Sequence, residues 1–151
     1  MNRKTCAECG GSNELGTCED HFMTLLALDH SRVQPFGRFH GINVACYFAQ
    51  HPSRGNASAL PAQRAIVAAF VNQGIEAVHA RQDAAVRRNS HARRAAPGAA
   101  DLHCEAEALL PPFAVAIEDV SVDGTFPAEG YEDRMVEWAK AIVETSGGAA
   151  L

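Results

Sequence analysis

Cys6, Cys9, Cys18 and His21 stand in the pattern Cys-x2-Cys-x8-Cys-x2-His, and no other feature limits the fold of this chain as tightly. A Cys-x2-Cys pair forms a tight turn that aims two sulfurs at one point. Gly10 and Gly11 follow it, and without Cβ atoms their amides can turn toward those sulfurs. Thr17 with Asp20 spells a capping box, which predicts a helix opening at Cys18. Positions 18 and 21 then share a helix face and complete a tetrahedral site, and this donor set suits Zn²⁺.

Other uses of the cysteines fit less well. A redox Cys-x-x-Cys opens a helix after a strand, whereas Gly10-Gly11-Ser12-Asn13 breaks helix. A disulfide framework conflicts with an odd count of five cysteines, with Cys46 in an apolar run, and with the lack of a secretory signal before residue 6. The economical reading is a metal staple on a short N-terminal segment that would not fold alone.

The length of 151 residues suits one domain, 1–151, with residues 1–21 as a zinc-binding N-terminal segment. No apolar run approaches the ~18 residues that a membrane span needs, and the expected location is cytoplasmic. Residues 1–100 carry 11 basic and 7 acidic side chains and residues 101–151 carry 2 and 11, so the acid is concentrated at the C-terminal end. Arg87, Arg88, Arg93 and Arg94 form the densest basic run, but without interleaved aromatics. Arg3, Lys4 and Arg32 add too little for a phosphate track, which argues against nucleic acid as a partner. Rich alanine, and arginine in place of lysine, suggest a bacterial source.

Periodicity predicts a mainly α fold, a compact domain of about five helices with a short β element. Residues 18–30 place Phe22, Leu25, Leu26 and Asp29 on one stripe. Residues 39–51 form a long apolar run that suits a buried helix, stopped by Pro52. Pro61 opens a third helix to about Asn72, with Ile66, Ala69, Phe70 and Val71 inward. Gly74 is expected to end it as a left-handed cap, and a fourth helix carries Ile75, Val78 and Val86. Residues 89–111 suggest an irregular crossing loop, and Phe113–Val122 alternates like one or two short strands before an Asp123-Gly124 turn. Tyr131, Met135, Trp138, Ile142 and Val143 mark a last amphipathic helix, capped by Gly147.

The helix at 39–51 has an unusual second face. His40, Asn43, Tyr47, Gln50 and His51 share a sector of roughly 100°. None is a Lys, Arg or Glu, so this face is expected to line an interior polar site. A straight helix puts His40 and His51 about 16 Å apart, too far to share one ion. Either histidine could instead reach the cysteines from a packed neighbour and displace His21 as fourth ligand. The plainer alternative hydrogen-bonds both histidines to backbone or to Asp29. His30, His79, His91 and His103 lack partner spacing and are expected on surfaces or loops.

The run from Thr17 to Asp29, followed by Phe39 to Ser53, resembles a bacterial family of unknown function. Its members join an N-terminal Cys-x2-Cys to a "Cys…LLAxE" helix and a "HxxxVxCYxxQHP" helix. Those motifs fall on Cys6, Cys9, Cys18, Asp29, His40, Tyr47, Gln50 and His51, with Asp29 in place of the usual Glu. His21 lies outside the family pattern, so the resemblance favours His40 or His51 as fourth ligand. It implies no activity.

Two functions fit these residues. One is a zinc-stabilised accessory or interaction protein with a protein partner. The other is a metal-dependent enzyme acting on a small polar molecule in a biosynthetic pathway, with His51, Tyr47 and Asp29 as an acid–base set. Four protein ligands on the metal favour the first, and three plus water favour the second.

Overall fold

A computed structural model describes residues 5–92 and 113–145. Six helices account for most of them: α1 (Cys18–Asp29), α2 (His40–Gln50), α3 (Leu60–Gln73), α4 (Ile75–Ala92), α5 (Ile117–Val120) and α6 (Tyr131–Thr145). Helix α2 is the central element, packing on α3 and α6, while α5 packs on α6 and α1. Its apolar face is built from Ile42, Ala45, Cys46 and Ala49, all buried. The small residues allow close approach to α3, whose Val67, Ala69 and Phe70 face inward. Helix α6, which packs on both α2 and α3, contributes Met135, Trp138, Ala139 and Ile142. The Cys46 thiol lies wholly inside this core, and burial pushes its pKa well above the ordinary thiol range.

The expected helix boundaries hold to within a few residues, and the physical reasons are visible. Thr17 accepts the Asp20 N–H at 3.1 Å while Asp20 accepts the Thr17 N–H at 3.0 Å, the reciprocal pair that opens α1. Pro61 lies in the first turn of α3. Gly74 ends that helix at φ 88°, ψ 177°, so the positive φ is as expected but the extended ψ differs from a left-handed cap. At Gly41 a Cβ would run into the terminal amide of Gln82 on α4, a flexible group that would have to swing aside. Val86 of α4 is exposed and takes no part in the core.

The expected β element is not formed. Among the described residues there are two isolated bridges, Thr5 with Ser12 and Val122 with Thr125, and no strands. Residues 117–120 make the short helix α5 because Asp119 accepts the Ala116 N–H at 2.9 Å and closes the turn from below. The alternation of Phe113, Val115, Ile117 and Val120 therefore reflects insertion between α1 and α6, not pleating. The Asp123-Gly124 turn does form, with φ of 52° and 81° at its two central residues. The expected loop at 89–111 begins later, since α4 runs to Ala92, and its remainder lies outside the described residues, as do His103, Arg93, Arg94 and Gly147.

No helix of the described residues is long and apolar enough to cross a membrane.

Candidate metal centre

The N-terminal segment folds into a small knuckle before α1 begins. The Cys6 N–H donates to the Gly11 carbonyl at 2.8 Å, and the Gly10 N–H returns to the Cys6 carbonyl at 2.9 Å. Gly10 supplies the positive φ of 77° that this turn demands. The chain then doubles back so that the Gly11 N–H donates to the Cys9 sulfur at 3.3 Å. Gly11 itself is closely hemmed: a Cβ would meet Ala116 at 3.0 Å and the Cys9 sulfur at 3.3 Å. Cys18 enters from the first turn of α1, and its sulfur stands 3.5 Å from that of Cys9.

His51 completes the group. One donor atom from each of Cys6, Cys9, Cys18 and His51 falls within 4.8 Å of the other three. The four residues can therefore hold a metal ion, and no other such group of three or more occurs among the described residues. Two sulfurs on one tetrahedral zinc lie about 3.8 Å apart, so only small shifts separate this arrangement from coordination. His51 follows the last residue of α2, where Pro52 prevents helix continuation. Its Nδ1 donates to the Tyr47 carbonyl at 2.8 Å, which fixes the tautomer, since a carbonyl can only accept. Nε2 therefore carries the free lone pair, and it is fully buried with no hydrogen-bond partner. A buried nitrogen acceptor facing three sulfurs is costly unless something electron-poor binds it.

Electrostatics within the knuckle agree with a cation site. Cys9 and Cys18 lie close enough to share a proton: the hydrogen bond from Cys18, with the Gly11 N–H, holds the Cys9 thiol far below its ordinary range. The resulting charge, together with burial, pushes Cys18 well above its own. A divalent ion bound here would take the place of the proton held between Cys9 and Cys18 and compensate the charge of the sulfurs it binds.

His21 is not among the residues whose donor atoms gather with the three sulfurs. It lies on α1 and is buried, but its ring packs edge-on against Phe126 at 6.1 Å and its Nε2 lacks a partner. One helical turn carries the side chain at position 21 away from the cluster to the α5–α6 side.

On the polar face of α2, Asn43, Tyr47, Gln50 and His51 are buried as expected while His40 is half-exposed, and the face serves three separate purposes. At its N-terminal end the His40 Nδ1 meets the Asp29 carboxylate at 2.8 Å, and the Asn43 amide donates to the same oxygen at 3.2 Å. Asp29 is enclosed, and burial raises its pKa although His40 and Asn43 pull the other way. The His40 ring remains 44% exposed and lies 5.3 Å from the His30 ring. At the last residue of the helix, Gln50 accepts from the Trp138 indole at 2.9 Å and donates to the Val115 carbonyl at 2.8 Å, tying α6 and the α5 approach to α2. At the C-terminal end the Tyr47 ring is sandwiched between Phe22 at 3.9 Å and His51 at 4.4 Å. The expected set of His51, Tyr47 and Asp29 is thus not assembled: Asp29 serves the first turn of α2, about 12 Å of helix rise from His51. His79 donates to the Arg38 carbonyl at 2.8 Å and is likewise structural.

Arg54 is a contributor that spacing did not single out. It lies three residues beyond His51 and donates to the Tyr47 hydroxyl at 3.3 Å and to Glu19 at 3.0 Å, placing a cation beside the knuckle. Its only sequence signal is its place just after the histidine-proline step.

Residues 4–146 match the model of a family of unknown function, DUF5946, and the chain belongs to that family. No curated protein and no solved structure matches it.

Proposed function

We propose that the chain is a zinc protein in which Cys6, Cys9, Cys18 and His51 hold one Zn²⁺ as a closed structural site, and that it acts as an accessory or interaction protein in the cytoplasm. The observation that carries this reading is the His51 Nε2 lone pair, buried without a hydrogen-bond partner within 4.8 Å of three sulfurs. Four protein donors fill a tetrahedral ion, which suits structure more than catalysis. Three soft thiolates with one imidazole favour zinc over the hard divalent cations. The ion's role is to tie the knuckle and the start of α1 to the end of α2. The acidic C-terminal part of the chain, which includes the start of α6, offers a partner-facing surface.

An enzymatic reading rests on one other observation, the Asp29–His40 pair with its half-exposed imidazole. That pair has the geometry of an oriented base for a small polar substrate. Metal content with the sulfur-to-nitrogen ratio tests the first reading. Loss of any activity found in the protein on His40→Ala, with zinc retained, would favour the second.

A further inference from the structure

The four donors of the metal group are not equally protected. Cys9, Cys18 and His51 are buried, whereas Cys6 is only half-buried. Cys6 and Cys18 line a pocket of about 280 Å³, and Thr5, Asn13, Thr17 and Arg54 form part of its wall. The Asn13 side-chain oxygen there is buried and has no hydrogen-bond partner. The Cys9 sulfur accepts the Gly11 N–H at 3.3 Å, which draws electron density off that sulfur. Of the two cysteines that line the pocket, Cys6 is thus the more exposed, and unlike Cys9 it borders the pocket directly.

Resting on the zinc reading above, we infer that Cys6 is an oxidisable thiolate of this site and that the pocket admits a small hydroperoxide to it. The Cys6 sulfur attacks the distal oxygen, forming an S–O bond and breaking the O–O bond. The departing alkoxide or hydroxide takes a proton and leaves as an alcohol or water. Sulfur has then lost two electrons to the peroxide and stands as a sulfenic acid. A second thiolate of the group, already within 4.8 Å, attacks that sulfur, forms the disulfide and expels hydroxide, which is protonated to water. In sum, two thiolates, one hydroperoxide and two protons give a disulfide, an alcohol or water, and a further water. With two of the four donors joined in a disulfide, the group could no longer hold an ion through four protein ligands. Arg54, beside the pocket, favours the charge that develops on the leaving oxygen.

The experiment uses the full-length, reduced, zinc-loaded protein, with zinc content measured first, so that a metal-free preparation counts against the structural-zinc reading alone. Substoichiometric hydrogen peroxide is added with dimedone as a sulfenic-acid trap, and in parallel without the trap. The expected result is a dimedone adduct on Cys6, and in the untrapped sample one zinc released per disulfide formed, every such disulfide containing Cys6. Zinc retained at peroxide levels that oxidise a free thiol, or a Cys9–Cys18 disulfide with Cys6 unmodified, would overturn the proposal. Because both readouts come from the wild-type chain, they do not depend on the folding of a cysteine variant.

Discussion

The His51 imidazole donates through Nδ1 to the carbonyl of Tyr47, one turn earlier, and its ring lies at 4.4 Å over the Tyr47 ring. One residue therefore sets the tautomer of His51 by its backbone and the orientation of its ring by its side chain. Phe22, stacked on the other face of Tyr47, passes the constraint back to α1, the helix that carries Cys18. The metal group is in this sense a product of the α1–α2 packing and not of the knuckle alone.

The two candidate histidines separate cleanly in a metal-retention experiment. His51→Ala should lower zinc affinity by more than the roughly 10–100-fold typical of losing a residue that only supports a ligand. His21→Ala should keep a full equivalent of zinc under chelator challenge and cost about 1–2 kcal/mol in stability, the common range for truncating a buried ring. Zinc lost from the His21 variant and kept by the His51 variant would reverse the assignment.

Removing the metal should act locally. The core between α2, α3 and α6 contains no metal donor, so most far-ultraviolet helical signal should survive chelation. Amide exchange should rise sharply in residues 5–18 and at the end of α2. Global loss of helix on chelation would show that the ion supports the whole core.

Trp138 and Gln50 form a buried pair whose loss has a calculable sign. Trp138→Phe leaves the Gln50 oxygen without its donor inside the core, costing about 1–3 kcal/mol. A double-mutant cycle with Gln50→Leu should return a coupling energy of about 0.5–3 kcal/mol, measured by urea unfolding. Strict additivity would mean that the bond contributes nothing.

Asp29 gives a pH-dependent prediction. Burial favours its neutral form, so the folded state keeps this proton to higher pH than the unfolded chain does. The folded state then binds more protons, and this group's contribution is fully present below about pH 3.9 and is lost as pH rises through the raised folded value. Asp29→Asn keeps an acceptor for His40 and removes the titration. Its stability relative to wild type should therefore rise with pH across that window. A difference that does not vary with pH would contradict the assignment.

Helix positions and the burial of the α2 polar face were legible because both depend on local period and on the absence of Lys, Arg and Glu from that face. The gathering of His51 with the three cysteines was not, because spacing ranks the nearby His21 first, while His51 reaches the cysteines only through packing of α2 on α1. The resemblance placed His51 in a motif and left His21 outside it, in keeping with that geometry. Residues 113–122 misled for a related reason: a segment inserted between two helices alternates as a strand does, and the capping by Asp119 outweighs that pattern. The division of one helix face among Asp29, Trp138 and the cysteines lies in tertiary contacts that no window of sequence contains.

X-ray absorption at the zinc edge of the purified, reduced protein tests the central claim most directly. The account predicts one zinc per chain with three sulfur neighbours at about 2.3 Å and one nitrogen at about 2.0–2.1 Å. Absence of metal, a fourth sulfur, or a shell with two or more nitrogen or oxygen neighbours would contradict it.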